Sequence, residues 1–463
     1  MIQTLKYFQE ITAYPRPSKQ EEKIREFLID FFSNKGFEYK VDKTGNLIVY
    51  VPAKNSDSKE TVILQSHMDM VCVKTADSNH DFMTDAIQTY EKDGYMYALN
   101  TTLGADNGIG VAYAMATIDF PSHPKLELLF TIDEEAGMSG VLGLDFSLLS
   151  GTKIINIDSE DEDEICISSA GGMSFMCNKE LNFINGKYPQ YTLDLFGMKG
   201  GHSGVEIHKN RGNVTLVMLN FLAKYDKDLE ICDIKAGVAS NVIPSKLNCI
   251  LGISDLEDFK KEFLLHLENT KSTFDCPEID FKLTENDEKR KAIENGIEIL
   301  KNLSQIKDGV YSMSEQIENL VQTSMNFGII KVNDNNLEIT YMARSSDNQD
   351  LEKNFTNTSE FLKSKGFEIS ASRGTPGWQD NPNSLLVQIA KEEGEKILGK
   401  TPHIRAIHAG LECGALVSGL NNPQVNAISI GPNIQFVHST EERVELESVK
   451  KVEKILEGIL ARI

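Results

Sequence analysis

Three short runs, 62–64, 126–132 and 153–157, are apolar and rich in β-branched or leucine side chains, and each ends beside histidine or carboxylate residues. Runs of this length, apolar without alternation, suit strands buried on both faces of an α/β sheet. In open α/β sheets ligands gather beyond the carboxyl ends of the strands. These polar residues are therefore the first candidates for chemistry. Around them the N-terminal part alternates helix and strand. Ser18-Lys19-Gln20-Glu21 reads as a capping box, followed by a helix that places Ile24, Phe27, Leu28, Phe31 and Phe32 on one face and stops at Gly36. A strand over 47–51 follows Thr44-Gly45-Asn46.

The middle of the chain has a different style. A strand at 191–195, a helix over 213–225 and strands at 247–252 and 337–343 suggest a compact α+β insertion. Beyond Pro376-Gly377-Trp378, where Trp378 is expected to serve packing, the α/β style returns with a helix at 384–398, a strand at 424–430 and an amphipathic helix at 449–463. The expected fold class is α/β: a discontinuous domain, 1–185 and 373–463, with a mixed central sheet flanked by helices, and an inserted α+β domain, 186–372. The acidic run 160–164 reads as a solvated loop. His123, His266 and His403 read as surface residues.

Composition narrows the partners. The 463 residues carry 47 Lys+Arg and 69 Asp+Glu, a formal net charge of −22. That balance argues against nucleic acid and against an anionic membrane surface, and is compatible with cations. Seven cysteines, an odd number with no Cys-x-x-Cys pair, argue against a disulfide framework and a thiolate zinc site. The first fourteen residues lack a signal-peptide pattern, and no apolar run approaches the roughly 20 residues that span a bilayer. The expected location is the cytoplasm.

Five segments carry metal-type ligands. In Ser66-His67-Met68-Asp69-Met70 an extended chain points His67 and Asp69 to one side, so that Asp69 can hold the far imidazole nitrogen and fix its tautomer. In Gly104-Ala105-Asp106-Asn107-Gly108 glycines allow tight turns around a lone acid that could equally be a turn residue or a helix cap. Asp133-Glu134-Glu135 crowds three carboxylates at a strand end, a costly placement unless cations or protons compensate. There one acid can ligate while its neighbour acts as a general base. Asp158 follows a strand in Asn156-Ile157-Asp158-Ser159-Glu160, and His438 stands in Val437-His438-Ser439-Thr440-Glu441. Together they offer two imidazoles, several carboxylates and no thiolate, a set for Zn²⁺, Mn²⁺ or Co²⁺. Two ions about 3.5–4 Å apart sharing a carboxylate are typical of hydrolases that activate a bridging water. In the insertion, His202 lies among glycines in Gly200-Gly201-His202-Ser203-Gly204, Asn241 lies in Ser240-Asn241-Val242, and Arg344 ends an apolar strand, suited to grip a carboxylate.

The ordered set Ser-His-Met-Asp-Met, Gly-Ala-Asp-Asn-Gly, Asp-Glu-Glu-Ala-Gly, Ile-Asp-Ser-Glu, Gly-Gly-His-Ser-Gly and Phe-Val-His-Ser resembles the di-zinc peptidases of the carboxypeptidase G and aminoacylase type. His408-Ala409-Gly410-Leu411-Glu412-Cys413-Gly414 and Thr375-Pro376-Gly377-Trp378 narrow it to the aminoacyl-histidine dipeptidase branch, cytosolic non-specific dipeptidases that also cleave β-alanyl-histidine. The resemblance runs from about His67 to the C-terminus. It implies two Zn²⁺ per chain, replaceable by Mn²⁺ or Co²⁺. Asp106 would bridge them, His67 and Asp158 completing one site and Glu135 and His438 the other. Asp69 would orient His67, and Glu134 would be the general base. It implies a lid domain whose His202 stabilises the oxyanion, while Arg344 and Asn241 hold the substrate's terminal carboxylate and Glu412 its free amine. The implied partner is a small dipeptide, and a homodimer is compatible with the family. The alternatives weighed are an N-acyl-amino-acid amidohydrolase or aminotripeptidase on the same scaffold, and a metal-binding scaffold protein without catalysis. The last has no use for a base at position 134.

Overall fold

A computed structural model describes residues 2–274, 276–315, 320–379 and 381–463. The chain forms two compact units. The first takes the chain up to Ser169, then Thr375–Ala406 and Gly410–Ile463; the second takes Ala170–Gly374 and Ile407–Ala409.

The first unit is built on a nine-stranded mixed sheet. Its centre is four parallel strands in the order Lys125–Thr131, Thr61–His67, Lys153–Asn156 and Asn426–Ser429. Antiparallel strands extend it on both sides, among them Leu47–Val51 and Glu38–Val41 at one edge. The central strands are nearly fully buried, as their continuous apolar composition requires. Helices Gln3–Ile11, Glu22–Ser33, Leu385–Leu398 and Leu446–Arg462 bury their apolar faces in the same core, which includes Phe8, Ile24, Phe32, Val387 and Ile455. A small antiparallel sheet, in the order Ile434–Gln435, Arg443–Glu445, Tyr95–Ala98, Thr89–Lys92, completes the unit. It is central to the site, because both Asp106 and His438 lie on segments that leave it.

The second unit is an antiparallel nine-stranded sheet with helices Val214–Lys224, Leu256–Thr273 and Asn348–Ser364. Asn213 caps the first of these by accepting from the Thr215 amide at 3.0 Å. The first boundary falls well before residue 185. Strand Gly171–Glu180 pairs with Asn336–Ser345 over its whole length and so belongs to this sheet.

Other expectations are corrected by tertiary contacts. Ser18 does not cap the helix at Glu22, because its hydroxyl donates to Asp69 Oδ2 at 2.7 Å. His123 is buried, held by a bridge to Lys54 and by the Pro124 carbonyl. The acidic run 160–164 is only partly solvated, since Glu162, Asp163 and Glu164 pair with Lys451, Lys400 and Arg405. Among the described residues no helix is long and apolar enough to cross a membrane.

Candidate metal centre

Register places the candidate ligands at one edge of the parallel strands. His67 ends its strand opposite Thr131, and Gln65 pairs with Asn156. The turns beginning at Asp133 and Asp158 therefore start at the same level as His67. Asp133 adopts a left-handed conformation (φ 55°) and starts a short helical turn carrying Glu134 and Glu135.

The two imidazoles converge on one carboxylate. His67 Nε2 lies 3.2 Å from Asp106 Oδ1, and His438 Nε2 lies 3.2 Å from Asp106 Oδ2. His67 Nε2 is also 3.4 Å from Asp158 Oδ1, and His438 Nε2 is 3.1 Å from the Glu135 carboxylate. Donor atoms of His67, Asp106 and Glu135 all lie within 4.8 Å of one another. Glu134 Oε2 stands farther off, 4.0 Å from His67 Nε2. Behind His67, Asp69 Oδ1 lies 3.3 Å from Nδ1. The Asp69 carboxylate also accepts from the Glu134 and Glu135 amides at 3.1 and 3.2 Å, so it positions the histidine and the acidic turn together. Asn107 donates to Asp158 Oδ1 at 2.5 Å.

The electrostatics are those of a site short of positive charge. Burial raises Asp158 to about 6, with Asp106 and Glu135 adding to the shift and His67 opposing it. Burial also lifts Glu134 well above the carboxylate range, and again His67 opposes. Asp106 goes the other way: burial would raise it, but hydrogen bonds to His438 and His67 leave it lowered. His438 is driven up to about 11 by its bonds to Asp106 and Glu135. Two imidazoles facing Asp106, Glu134, Glu135 and Asp158 leave an excess of carboxylate. Nitrogen and oxygen donors without sulfur, paired around a shared carboxylate, fit divalent transition-metal ions.

Glu412 is placed differently from an open receptor for an amine. It is fully buried, accepting from Gln65 and, at 2.8 Å, from Thr131, and burial raises it to about 8. The motif that contains it is divided, since His408 belongs to the second unit, where its Nε2 lies 2.7 Å from Ser324 Oγ.

The second unit gathers the remaining candidates. Gly201–His202 pairs with Val242–Ile243, which brings His202 beside the loop of Asn241. Asn326 pins that loop by donating to the Ser240 and Val242 carbonyls at 2.8 and 2.9 Å. His202 Nδ1 accepts from the Gly204 and Val205 amides at 3.2 and 3.3 Å, which assigns its proton to Nε2. Burial and then Arg344 lower its pKa. Arg344 is 6% exposed and has no carboxylate partner among the described residues. Asn241 is exposed. Two residues join the site without a signal of that role in the sequence: Ser18, whose local pattern is that of a helix cap, and Asn107, which stands inside the Gly104–Gly108 motif.

Comparison with known proteins gives the family. Residues 63–462 match Peptidase family M20/M25/M40. The chain is 34% identical over 469 residues to the cytosol non-specific dipeptidase of Escherichia coli K12, covering 98% of this chain and 96% of that one. It superposes on the crystal structure of aminoacylhistidine dipeptidase from Vibrio alginolyticus with a TM-score of 0.91 at 31% identity, covering 99% of this chain and 96% of that one. An aminopeptidase from Bacillus cereus, 18% identical, shares the fold at a TM-score of 0.58 over 99% of this chain and 97% of its own. With the match spanning most of its length, the chain belongs to peptidase family M20/M25/M40.

Proposed function

We propose that this protein is a metal-dependent dipeptidase that hydrolyses unblocked dipeptides, Xaa-His and β-alanyl-histidine among them, with two divalent ions, Zn²⁺ first, as its cofactors. The observation that carries the reading is the Asp106 carboxylate shared between His67 and His438, with Glu134 close by and outside the ligand contacts. Asp106, His67 and Asp158 would hold one ion; Asp106, Glu135 and His438 the other. Such ions act as Lewis acids and make water nucleophilic near neutral pH.

The chain's own residues supply the rest. Glu134, half-buried and 4.0 Å from His67 Nε2, accepts a proton from the attacking water and returns it to the leaving amine. Asp69 holds Nδ1 of His67 and so keeps the tautomer whose Nε2 lone pair would be available to a metal ion. His202 is neutral with its proton on Nε2, the form that donates to a developing oxyanion. Arg344, buried and without an anionic partner among the described residues, is matched to the terminal carboxylate of a dipeptide, with Asn241 as the second group proposed to hold it. The relative from Escherichia coli is named a cytosol enzyme, and seven free cysteines suit the same compartment here.

The test is metal content with turnover of leucyl-glycine, β-alanyl-histidine and N-acetyl-amino acids, before and after chelation. Dipeptide hydrolysis that chelation abolishes and Zn²⁺ or Mn²⁺ restores is expected. Turnover confined to N-acetyl-amino acids would replace this reading with the amidohydrolase one.

A further inference from the structure

Glu442 lies four residues past His438 and is 2% exposed. Its carboxylate receives four consecutive backbone N–H groups. Leu103 and Gly104 donate to Oε2 at 2.9 and 3.0 Å, and Ala105 and Asp106 donate to Oε1 at 2.8 and 3.3 Å. The turn so gripped is the one that presents Asp106. Arg16, also 2% exposed, reaches the same turn, donating from Nη2 to the Gly104 carbonyl at 2.7 Å and from Nη1 to the Asp69 carbonyl at 3.4 Å. Gly104 takes a left-handed conformation (φ +68°), and a Cβ on Gly108 would stand 2.7 Å from Arg16 Nη2. The two glycines flanking Asp106 thus make room for the guanidinium. Buried charges persist only where hydrogen bonds and opposite charge compensate them, and neither of these two touches the ligand atoms.

We infer that Glu442 and Arg16 are positioning residues for the metal centre. Glu442 locks the backbone of Asp106 to the segment that carries His438, and Arg16 locks the same turn to the residue that orients His67. The donor atoms are thereby spaced before any ion arrives. The inference rests on the reading that these residues ligate metal, and it is independent of which bond the enzyme cleaves. A glycine-rich turn without such a clamp would have to be ordered by the ion itself, at the expense of affinity.

The decisive variant is Glu442→Gln, which keeps the shape but turns an amide NH₂ toward backbone N–H groups. Zn²⁺ titration of the chelator-treated protein by calorimetry is expected to show about 10–100-fold weaker binding, the usual effect of losing a group that orients a ligand. Glu442→Asp should recover part of the loss, and Arg16→Met should weaken binding in the same direction. Hydrogen exchange on the metal-free wild type should find the amides of Leu103, Gly104 and Ala105 already protected. Wild-type affinity in a Glu442→Gln protein with unchanged circular dichroism would overturn the inference. So would rapid exchange of those three amides in the metal-free wild type, a reading that stands even if the variant does not fold. A wild type that binds no Zn²⁺ would instead overturn the metal-dependent reading under the proposed function, and this inference with it.

Discussion

After chelation, the first unit should gain stability as the pH falls from about 8 to about 5, the reverse of ordinary acid denaturation. Asp158 carries the argument. Burial raises it from 3.8 to about 6, helped by Asp106 and Glu135 and opposed by His67. A carboxyl group whose pKa is higher in the folded than in the unfolded state destabilises the fold fully above the folded value. That penalty disappears as pH drops below the unfolded one, because the folded state binds the proton more tightly. A shift of about two units at about 1.4 kcal/mol each gives about 3 kcal/mol, relieved between about pH 6 and pH 4. Glu134 and Glu135 shift the same way, chiefly through burial, and Glu412, at about 8, begins the trend at higher pH. His438, raised from 6.5 to about 11, has the same slope: its stabilisation is complete below the unfolded value and is lost only as pH climbs. Asp69 and Asp106 oppose the trend, but their pKa values are lowered from 3.8, so their stabilisation is lost only in stronger acid. By pH 5 about half of that relief has been reached, so at about 2 °C per kcal/mol for a unit of this size Asp158 alone moves Tm by about 3 °C across this range. Differential scanning calorimetry in chelator across this range, scored on the first unit's transition, measures it. Repeating the scans with Zn²⁺ should flatten the profile, because the ions compensate the carboxylates. A chelated protein whose Tm falls steadily from about pH 8 to about pH 5 would refute the claim that these acids are held together at the fold's expense.

Glu134→Gln should lower kcat by about 10²–10⁴ while metal content by atomic emission stays at the wild-type level, since position 134 is assigned no ligand role. Loss of bound metal in that variant would move Glu134 into the ligand set. Arg344→Met should raise KM for a free dipeptide by about 10–100-fold, the weight of a charge-assisted hydrogen bond, and spare the corresponding dipeptide amide. Equal losses on acid and amide would show that Arg344 does not read the carboxylate.

The residues that the fold gathers around Asp106 stand out in the sequence because the constraint on them is local. A buried parallel strand has to be a short apolar run, and the first polar residues after it have to emerge at the sheet's edge. His67, Asp133 to Glu135 and Asp158 announce themselves in this way. Asp69 was legible from its two-residue spacing, even though the strand itself ends at His67. What stayed hidden depends on segments far apart in the chain. Ser18 carries the local signature of a helix cap, and only tertiary structure reassigns its hydroxyl to Asp69. The strand at Gly171–Glu180 is attributed correctly only once its partner Asn336–Ser345 is known. Glu442 was hidden for a deeper reason. A carboxylate satisfied by another carboxylate's backbone leaves no complementary side chain to search for: its partners are four N–H groups that any residue except proline could supply. The glycines around Asp106 were the one visible trace of that arrangement. They read as freedom for the turn, whereas in the folded protein they are the space in which a buried cation and a buried anion hold it still.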